Sequence, residues 1–489
     1  MELGDADRLV IFGISGDLGY KMTLPALYQL QRRGLLKVPV VGVAANDWGP
    51  DGLANRARDA ITAHHPDDFD EKTFGDLTAK MSYIHGDFAD PALYSEVAEA
   101  ITGSEAPCFY LEIPPGLFGM VARGLAAAKL LGGRARLVVE KPFGHDLQSA
   151  KDLAAELHKC VREEQLFRID HFLGKEPVQD IIYLRFANSM LEPLWNRKHV
   201  AAVMITMAES FGVDDRGRFY DPVGCLRDVV QNHLLQILAL TGLEPPAGGS
   251  LSQRRLDFFR TVETVHPANA VMGQYAGYRL VKGVSPESET ETFVAVRLEI
   301  DSWRWAGVPV FIRAGKKMPM DATEIVVRLE KPPMVEVDAV EIDYEGHDDI
   351  VLRIGGNAGV SLSMRVKQPG KDLAEPELLT LDFTSALGDV PTPYERLLSD
   401  AMAGDHSLFP EQAVIEETWR IVERLVDDPP PIDMYQPGSW GPDAATLLTR
   451  HVGGWREPES EGLGWAIDHA KSGPPAQGES TPAASAPAG

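Results

Sequence analysis

Short apolar runs alternate with amphipathic stretches over the first third of the chain. Arg8–Phe12 predicts a buried strand, because its apolar residues run unbroken until a glycine follows. Strand alternating with helix predicts a parallel sheet with helices on both faces, and the pattern covers residues 1 to about 170. The other predicted strands are 38–44, 108–113 and 136–140, and the predicted helices are 22–33 and 118–131.

After Leu173 the pattern becomes strand-like, with few long helices between the strands. This predicts a large, mostly antiparallel sheet. Its clearest helix spans 228–241 and carries His233. The predicted strands are 201–207, 293–300, 308–313, 324–329, 350–354, 360–366 and 379–383.

The predicted fold class is therefore α/β plus α+β, in three parts. Residues 1–170 form a Rossmann-type coenzyme domain, and residues 171–470 form a domain built on the large sheet. Residues 471–489 are rich in Ala, Ser, Pro and Gly, a composition typical of a disordered tail.

Composition narrows the possible partners. The 489 residues carry a formal net charge of −25, which repels nucleic acids and anionic membranes. The three cysteines form no CxxC pair, which favours reduced thiols in the cytoplasm. We expect no signal peptide, and no apolar run reaches the roughly 18 residues of a membrane-spanning helix.

A glycine-rich turn predicts a nucleotide site. Gly13, Gly16 and Gly19 lie between a strand and a helix, where glycine lets phosphates approach the backbone and the helix N-terminus attracts a diphosphate. The GxxGxxG spacing is also compatible with a plain βα turn, and no Gly-Lys-Ser/Thr follows as in a P-loop. The second strand ends at 42–47 without an arginine. That chemistry alone favours NAD over NADP, unless a basic residue from elsewhere supplies the charge.

The segment 168–176 is the strongest candidate for chemistry. It places Asp170, His171 and Lys175 among apolar residues, and burying an unpaired charge costs on the order of several kcal/mol. A carboxylate, an imidazole and an amine together suit a polar, anionic small molecule. Because the whole chain is negative, such a substrate requires local lysines. An enzyme is the leading interpretation.

Five segments, in order along nearly the whole chain, resemble the glucose-6-phosphate 1-dehydrogenase family, especially its actinobacterial-type members. The resemblance implies a Rossmann-type domain, an antiparallel-sheet domain, and homodimers or homotetramers formed through the large sheet. It implies oxidation of D-glucose 6-phosphate at C1 to 6-phospho-D-glucono-1,5-lactone with NADP, or NAD, as in the first step of the oxidative pentose phosphate pathway. The segments are 11–18, 140–144, 168–176, 227–236 and 303–316.

The resemblance also implies residue roles. His233 matches the family's catalytic base and Asp170 the carboxylate that orients it, while no metal is expected. The implied substrate residues are His171 and Lys175 for phosphate, Glu209 and Asp228 for sugar hydroxyls, and Lys316 and Lys141 as further contacts. The implied coenzyme residues are Gly13, Ser15, Gly16, Asp17, Leu18 and Lys141, and the bond from Lys141 to Pro142 is expected to be cis. Each of these residues also has an ordinary structural interpretation: a hydrogen-bonded core histidine, a solvated lysine or a surface charge.

Several positions depart from the family pattern. Phe172 replaces a phosphate-binding tyrosine, Asp321 a second basic residue and Gly355 a glutamine of some members. Ala45 replaces the arginine that many members use for the 2′-phosphate of NADP, and Met22 replaces a basic residue. These changes leave two alternatives open: a dehydrogenase of free glucose or another phosphosugar, and a catalytically silent sugar-phosphate sensor.

Overall fold

The structure is a computed structural model. It describes residues 3–49, 51–64, 66–333, 335–337, 340–342, 346–355, 358–367, 374–383 and 390–459. The predicted tail 471–489 and the predicted end of the second domain lie outside the described residues.

A six-stranded sheet organises the N-terminal part, with strand order β3-β2-β1-β4-β5-β6 and every neighbouring pair parallel. The four predicted strands are confirmed; β1 has the predicted bounds because helices cover both of its faces. Two strands were not predicted: β3, an edge strand that is only partly buried, and β6, which has three residues. The strands are β1 Arg8–Phe12, β2 Val40–Ala44, β3 Met81–His85, β4 Pro107–Leu111, β5 Arg136–Val139 and β6 Leu166–Arg168.

Helices flank this sheet. The predicted helix 22–33 is α1, and a π-helical turn, Gly19–Thr23, leads into it from the glycine-rich turn. The predicted helix 118–131 is confirmed as α5 but ends at Ala127. The helices are α1 Leu24–Arg32, α2 Gly52–His64, α3 Glu71–Thr78, α4 Pro91–Ala100, α5 Phe118–Ala127 and α6 Leu147–Leu157.

A nine-stranded sheet follows, in the order β16-β15-β14-β11-β7-β10-β9-β8-β17. Only the β10–β7 and β17–β8 pairs are parallel, which confirms the mostly antiparallel prediction. The predictions did not include β8 or β17. The strands are β7 Val200–Ala208, β8 Ala270–Tyr275, β9 Phe293–Leu298, β10 Val310–Gly315, β11 Ala322–Leu329, β14 Asp349–Arg353, β15 Gly359–Lys367, β16 Ala374–Asp382 and β17 Ile432–Tyr435, with β12 Val335–Val337 and β13 Val340–Ile342 as a separate pair.

The helices of the second half join the two sheets. The predicted helix 228–241 is confirmed, but it begins at Leu226 and its first nine residues are π-helical. The helix Gln412–Asp427 packs against both α6 and this π-helical segment, so a single apolar core runs through both halves. The other helices are α7 Glu176–Phe186, α8 Gly217–Tyr220, α9 Leu235–Gly242, α10 Leu251–Thr261, Pro393–Ala403 and Ala444–Thr449.

Candidate active site

A buried carboxylate–imidazole pair lies where the two sheets meet. Asp170 follows β6, His233 lies on the π-helical segment Leu226–Leu234, and both are almost fully buried. Asp170 Oδ1 is 2.5 Å from His233 Nδ1, and the backbone N–H of Phe172 donates to the same oxygen over 3.0 Å. The carboxylate therefore fixes the imidazole with Nδ1 bound and Nε2 facing the other way.

Lys141 faces the free nitrogen of His233. Its Nζ lies 3.0 Å from His233 Nε2, 2.9 Å from the backbone oxygen of Asp228 and 3.5 Å from Asp228 Oδ1. An ammonium has no acceptor, so this contact requires Nε2 to accept and Nδ1 to carry the proton. The Lys141–Pro142 bond is cis, as expected.

The π-helical segment brings Asp228 and His233 to the same lysine. The Asn232 side chain donates to the backbone oxygens of Arg227 and Asp228, and its own oxygen accepts from the His233 N–H. π-Helical turns are rare and are frequent at functional sites. The sequence predicted a helix here but gave no signal for its wider turn.

Burial and charge keep Asp170 ionised and His233 neutral, and a neutral imidazole is the form that a general base requires. Burial would raise the pKa of Asp170, but the charge and hydrogen bond of His233 lower it to about 2. Burial lowers the pKa of His233, and the opposing carboxylate of Asp170 offsets this only in part. At neutral pH the pair is therefore an ionised carboxylate beside a neutral imidazole.

The predicted phosphate residues adjoin His233. The ring centroids of His171 and His233 are 4.6 Å apart, and Phe172 stacks on His233 at 4.3 Å. Lys175 Nζ lies 3.7 Å from the centre of the Phe172 ring, and Lys175 is also the N-cap of α7. A phosphate at Lys175 would meet both the ammonium and the positive end of a helix.

Phe172 therefore contributes more than the sequence indicated. From the sequence, Phe172 is only the replacement of a phosphate-binding tyrosine, whereas in the structure its buried ring contacts both the imidazole of His233 and the ammonium of Lys175. Sequence spacing could not reveal this, because the contact to His233 joins residues from different elements.

Glu209 and Lys316 form a second charged pair. Glu209 follows β7 and Lys316 follows β10, and the parallel register Gly315↔Ala208 places them side by side. Lys316 Nζ bonds Glu209 Oε2 at 2.5 Å. Burial alone would raise the pKa of Asp228, but the charges of Lys141 and Lys316 lower it. Asp228 is therefore bonded to Lys141 and influenced by the charge of Lys316, which is itself paired with Glu209.

Asp321 is bonded to Ser210. Its Oδ1 accepts from the backbone N–H and the hydroxyl of Ser210, at 2.6 and 3.0 Å. Lys317 packs its side chain against Gly212, and its N–H donates to the Phe211 oxygen. The structure therefore places a carboxylate, paired with Ser210, at the position of the family's second basic residue.

The glycine-rich turn fits a dinucleotide. It lies between β1 and α1, at the C-terminal end of β1 and next to β4, where the strand order reverses. Gly13 has φ +86°, and a Cβ there would lie 2.3 Å from the backbone oxygen of Glu112. Gly16 and Asp17 are exposed, and Ser15 and Leu18 are partly exposed. A diphosphate can therefore reach the backbone of this turn.

Asp170, His171 and His233 present potential metal-ligating atoms within 4.8 Å of one another. The ammonium of Lys141, 3.0 Å from His233 Nε2, opposes a second cation at this point. The arrangement suits proton transfer between His233 and a bound hydroxyl instead.

Fold and site together define a class: an oxidoreductase with a Rossmann-type nicotinamide-coenzyme domain. A family model described as "Glucose-6-phosphate dehydrogenase, NAD binding domain" matches residues 10–180, and one described as "Glucose-6-phosphate dehydrogenase, C-terminal domain" matches residues 182–456. The chain belongs to the glucose-6-phosphate dehydrogenase family.

Individual relatives agree over nearly the full length. The chain is 47% identical over 460 residues to glucose-6-phosphate 1-dehydrogenase 1 of Mycobacterium tuberculosis, covering 93% of this chain and 97% of that protein. It resembles the crystal structure of glucose-6-phosphate 1-dehydrogenase from Mycobacterium avium with 48% identity and a TM-score of 0.86, covering 93% and 99% of the two chains. A glucose-6-phosphate dehydrogenase in complex with its substrate glucose 6-phosphate matches with 29% identity and a TM-score of 0.84, covering 94% and 100%.

Among the described residues, no helix is long and apolar enough to cross a membrane.

Proposed function

We propose that this protein oxidises D-glucose 6-phosphate at C1 to 6-phospho-D-glucono-1,5-lactone, with hydride transfer to NADP, as in the first step of the oxidative pentose phosphate pathway. The observation that carries the proposal is the array Asp170–His233–Lys141, in which Asp170 and His233 are buried, with Asp228 bonded to Lys141 and the Lys316–Glu209 pair in the same part of the fold. The similarity to named glucose-6-phosphate dehydrogenases supports the same substrate.

His233 Nε2 is the atom that accepts the C1 hydroxyl proton. Its pKa is lowered by burial, so the imidazole is neutral and competent as a base near pH 7. Asp170 then stabilises the imidazolium through the 2.5 Å contact to Nδ1. Lys141 must move from Nε2 before a hydroxyl can take its place. NADP, when bound, supplies the hydride acceptor.

The remaining residues hold the substrate. Carboxylates accept hydrogen bonds from hydroxyls, so Glu209 and Asp228 suit the sugar ring. His171, Lys175 and the N-terminus of α7 suit the phosphate, and the local lysines offset the repulsion that a net charge of −25 imposes on an anion.

The direct test is the initial rate of coenzyme reduction with glucose 6-phosphate, measured by absorbance with NADP and NAD in parallel. We expect reduction with NADP to dominate. Dominant reduction with NAD would preserve the enzyme and overturn the coenzyme assignment. No reduction with either would contradict the proposal and favour a silent sugar-phosphate sensor.

The changes at Phe172, Asp321 and Gly355 make free glucose the second substrate to test. We expect Lys175→Met to raise the KM for glucose 6-phosphate by at least tenfold and to change the KM for glucose little, because glucose has no phosphate to lose contact with. Lys151→Met, on the exposed face of α6, is the control. Equal kcat/KM for the two sugars in the unmodified enzyme would reject the phosphosugar as the specific substrate.

We further propose a homodimer formed through the free end of the large sheet. In the β15–β16 register, Leu362 faces Leu379 and Val360 faces Leu381, which places Met364 and Val366 on the same side. Leu379 and Leu381 are 60% and 57% exposed, a row of apolar surface that a second copy would cover.

The domain division near residue 170 and the cytoplasmic location are also proposals. The last strand of the first sheet ends at Arg168, which supports the division. Cys108, Cys160 and Cys225 are all free thiols, which supports a reducing compartment.

A further inference from the structure

The 2′-phosphate of NADP needs a cation near the end of β2, and the expected position lacks one. Ala45 is exposed where many members carry an arginine, and Met22 replaces another basic residue. The neighbouring Lys21 lies 3.6 Å from Asp17, so an acidic residue already competes for its charge. The positive charge for the 2′-phosphate must therefore come from another element of the fold.

Arg56 of α2 lies beside the glycine-rich turn. Leu53, one helical turn earlier, packs against Gly42 of β2, where an added Cβ would lie 3.0 Å from Leu53 Cδ2. Residues three apart share a helix face, so Arg56 projects on the same side. Its guanidinium carbon lies 4.1 Å from the centre of the Tyr20 ring, and the Tyr20 N–H donates to the Gly16 oxygen of the glycine-rich turn.

This arginine lacks the partners that the neighbouring arginine has. Arg58 forms two hydrogen bonds with Glu71, at 2.6 and 2.9 Å. By contrast, the Nε of Arg56 is buried and finds no acceptor among the described residues. A guanidinium over the face of an aromatic ring can direct its terminal N–H donors away from the ring, in the fork geometry that binds phosphate oxygens in pairs.

We infer that Arg56 binds the 2′-phosphate of NADP, supplying from α2 the charge that position 45 lacks. The inference depends on the proposed function only in the choice of NADP as coenzyme. Tyr20 orients the guanidinium, and the same contact ties α2 to the helix that begins at the diphosphate-binding turn. The coenzyme preference is then determined by a residue of α2 and not by a residue at the end of β2.

The test measures binding without turnover. The dissociation constants of adenosine 2′,5′-bisphosphate and of 5′-AMP are determined by calorimetry for the unmodified protein and for Arg56→Gln, Arg56→Lys and the control Arg58→Gln. We expect Arg56→Gln to weaken the bisphosphate about 10- to 100-fold, the range of a lost charge-assisted hydrogen-bonded pair, and to change 5′-AMP less than twofold. Arg56→Lys should lose less, and Arg58→Gln should change neither ligand.

Each outcome decides the inference. Equal weakening of both ligands, no weakening of the bisphosphate, or an equally selective loss in Arg58→Gln would overturn it. Failure of the proposed function is separable: a protein that reduces no coenzyme with glucose 6-phosphate but binds the bisphosphate through Arg56 retains the inference. A protein that reduces NADP with an unchanged KM for NADP in Arg56→Gln loses only the inference.

Discussion

At the residue scale, the proposed chemistry depends on which nitrogen of His233 is free. Asp170 occupies Nδ1, and among the described residues only the Lys141 side chain contacts Nε2. The proton of the C1 hydroxyl thus has one available acceptor on this ring, Nε2. The orientation of the ring is determined by Asp170, which follows β6, and by the π-helical segment that carries His233.

Replacing His233 with Gln removes that acceptor while retaining a polar side chain. We expect kcat to fall about 10²- to 10⁴-fold, the usual contribution of a general base, with the dissociation constant of NADP nearly unchanged. Steady-state kinetics and a binding titration measure the two effects, with His199→Gln, an exposed histidine, as the control. A raised KM for the sugar with an unchanged kcat would show that His233 is not the base.

Glu112 makes stability depend on pH. It is partly buried behind the glycine-rich turn and is bonded to Thr23 through one oxygen, while its buried Oε2 has no hydrogen-bond partner among the described residues. Burial raises its pKa to about 8. In the unfolded chain Glu112 therefore loses its proton above its ordinary pKa near 4.5. In the folded chain it keeps the proton up to about pH 8. Stability contributed by the protonated form is lost as the pH rises across that window.

Glu112→Gln stays neutral and should remove this loss. We expect it to raise the thermal unfolding midpoint by a few degrees at pH 8 and to change it little at pH 5. Glu96→Gln, on the exposed face of α4, should show no such difference. The same gain at both pH values would mean that packing, and not ionisation, governs the site.

At the element scale, the close approach of the π-helical turn Gly19–Thr23 to the backbone that follows β1 constrains the coenzyme site. A Cβ at Gly19 would lie 2.3 Å from the Ile14 oxygen, so no side chain fits without moving the turn. By contrast, a Cβ at Gly75 in α3 would meet nothing within 4 Å. The two glycines therefore serve different purposes, although both lie in helical turns.

Alanine substitutions separate these purposes. Gly19→Ala should weaken NADP binding at least tenfold and destabilise the fold by about 1–3 kcal/mol, because the turn must shift. Gly75→Ala should stabilise by about 0.5–1 kcal/mol, because alanine has less chain entropy to lose in an open helix position. Coenzyme titration and thermal unfolding test both; unchanged binding in Gly19→Ala would place the diphosphate away from this turn.

Strand prediction was correct for the unbroken apolar run of β1, but it missed the edge strands β3 and β17, the three-residue β6 and the buried interior strand β8. β1 is buried along nearly its whole length, so its apolar run marked its ends correctly. β3 and β17 lie at sheet edges and mix exposed with buried residues, and β6 has only three residues, too few for a periodic pattern. The π-helical start of the helix carrying His233 was missed because a π-helix differs from an α-helix in its i→i+5 backbone hydrogen bonds, which the apolar pattern of nine residues does not reveal.

At the scale of the whole molecule, the apolar face of β15 and β16 connects the fold to assembly. Leu379→Lys combined with Leu381→Lys places charges across the row that a second copy would cover. We expect the dimer to dissociate to monomers in light scattering after size-exclusion chromatography. Leu447→Lys, at an exposed leucine of the helix Ala444–Thr449, is the control and should leave the mass unchanged. A dimer that survives the double change forms through another surface.

The sequence by itself determined the two-sheet architecture, the glycine-rich turn and the polar segment with Asp170, His171 and Lys175, because periodicity and motif spacing are local properties of the chain; the role of His233 came from the resemblance to the family. Only the tertiary structure decided that Lys141 faces His233 Nε2, that Phe172 contacts both His233 and Lys175, and that Arg56 lies over Tyr20. Most of these contacts join residues tens of positions apart, and even the neighbours Phe172 and Lys175 meet only through the turn that the chain adopts there. Their geometry follows from how helices pack on sheets, which no spacing along the chain encodes.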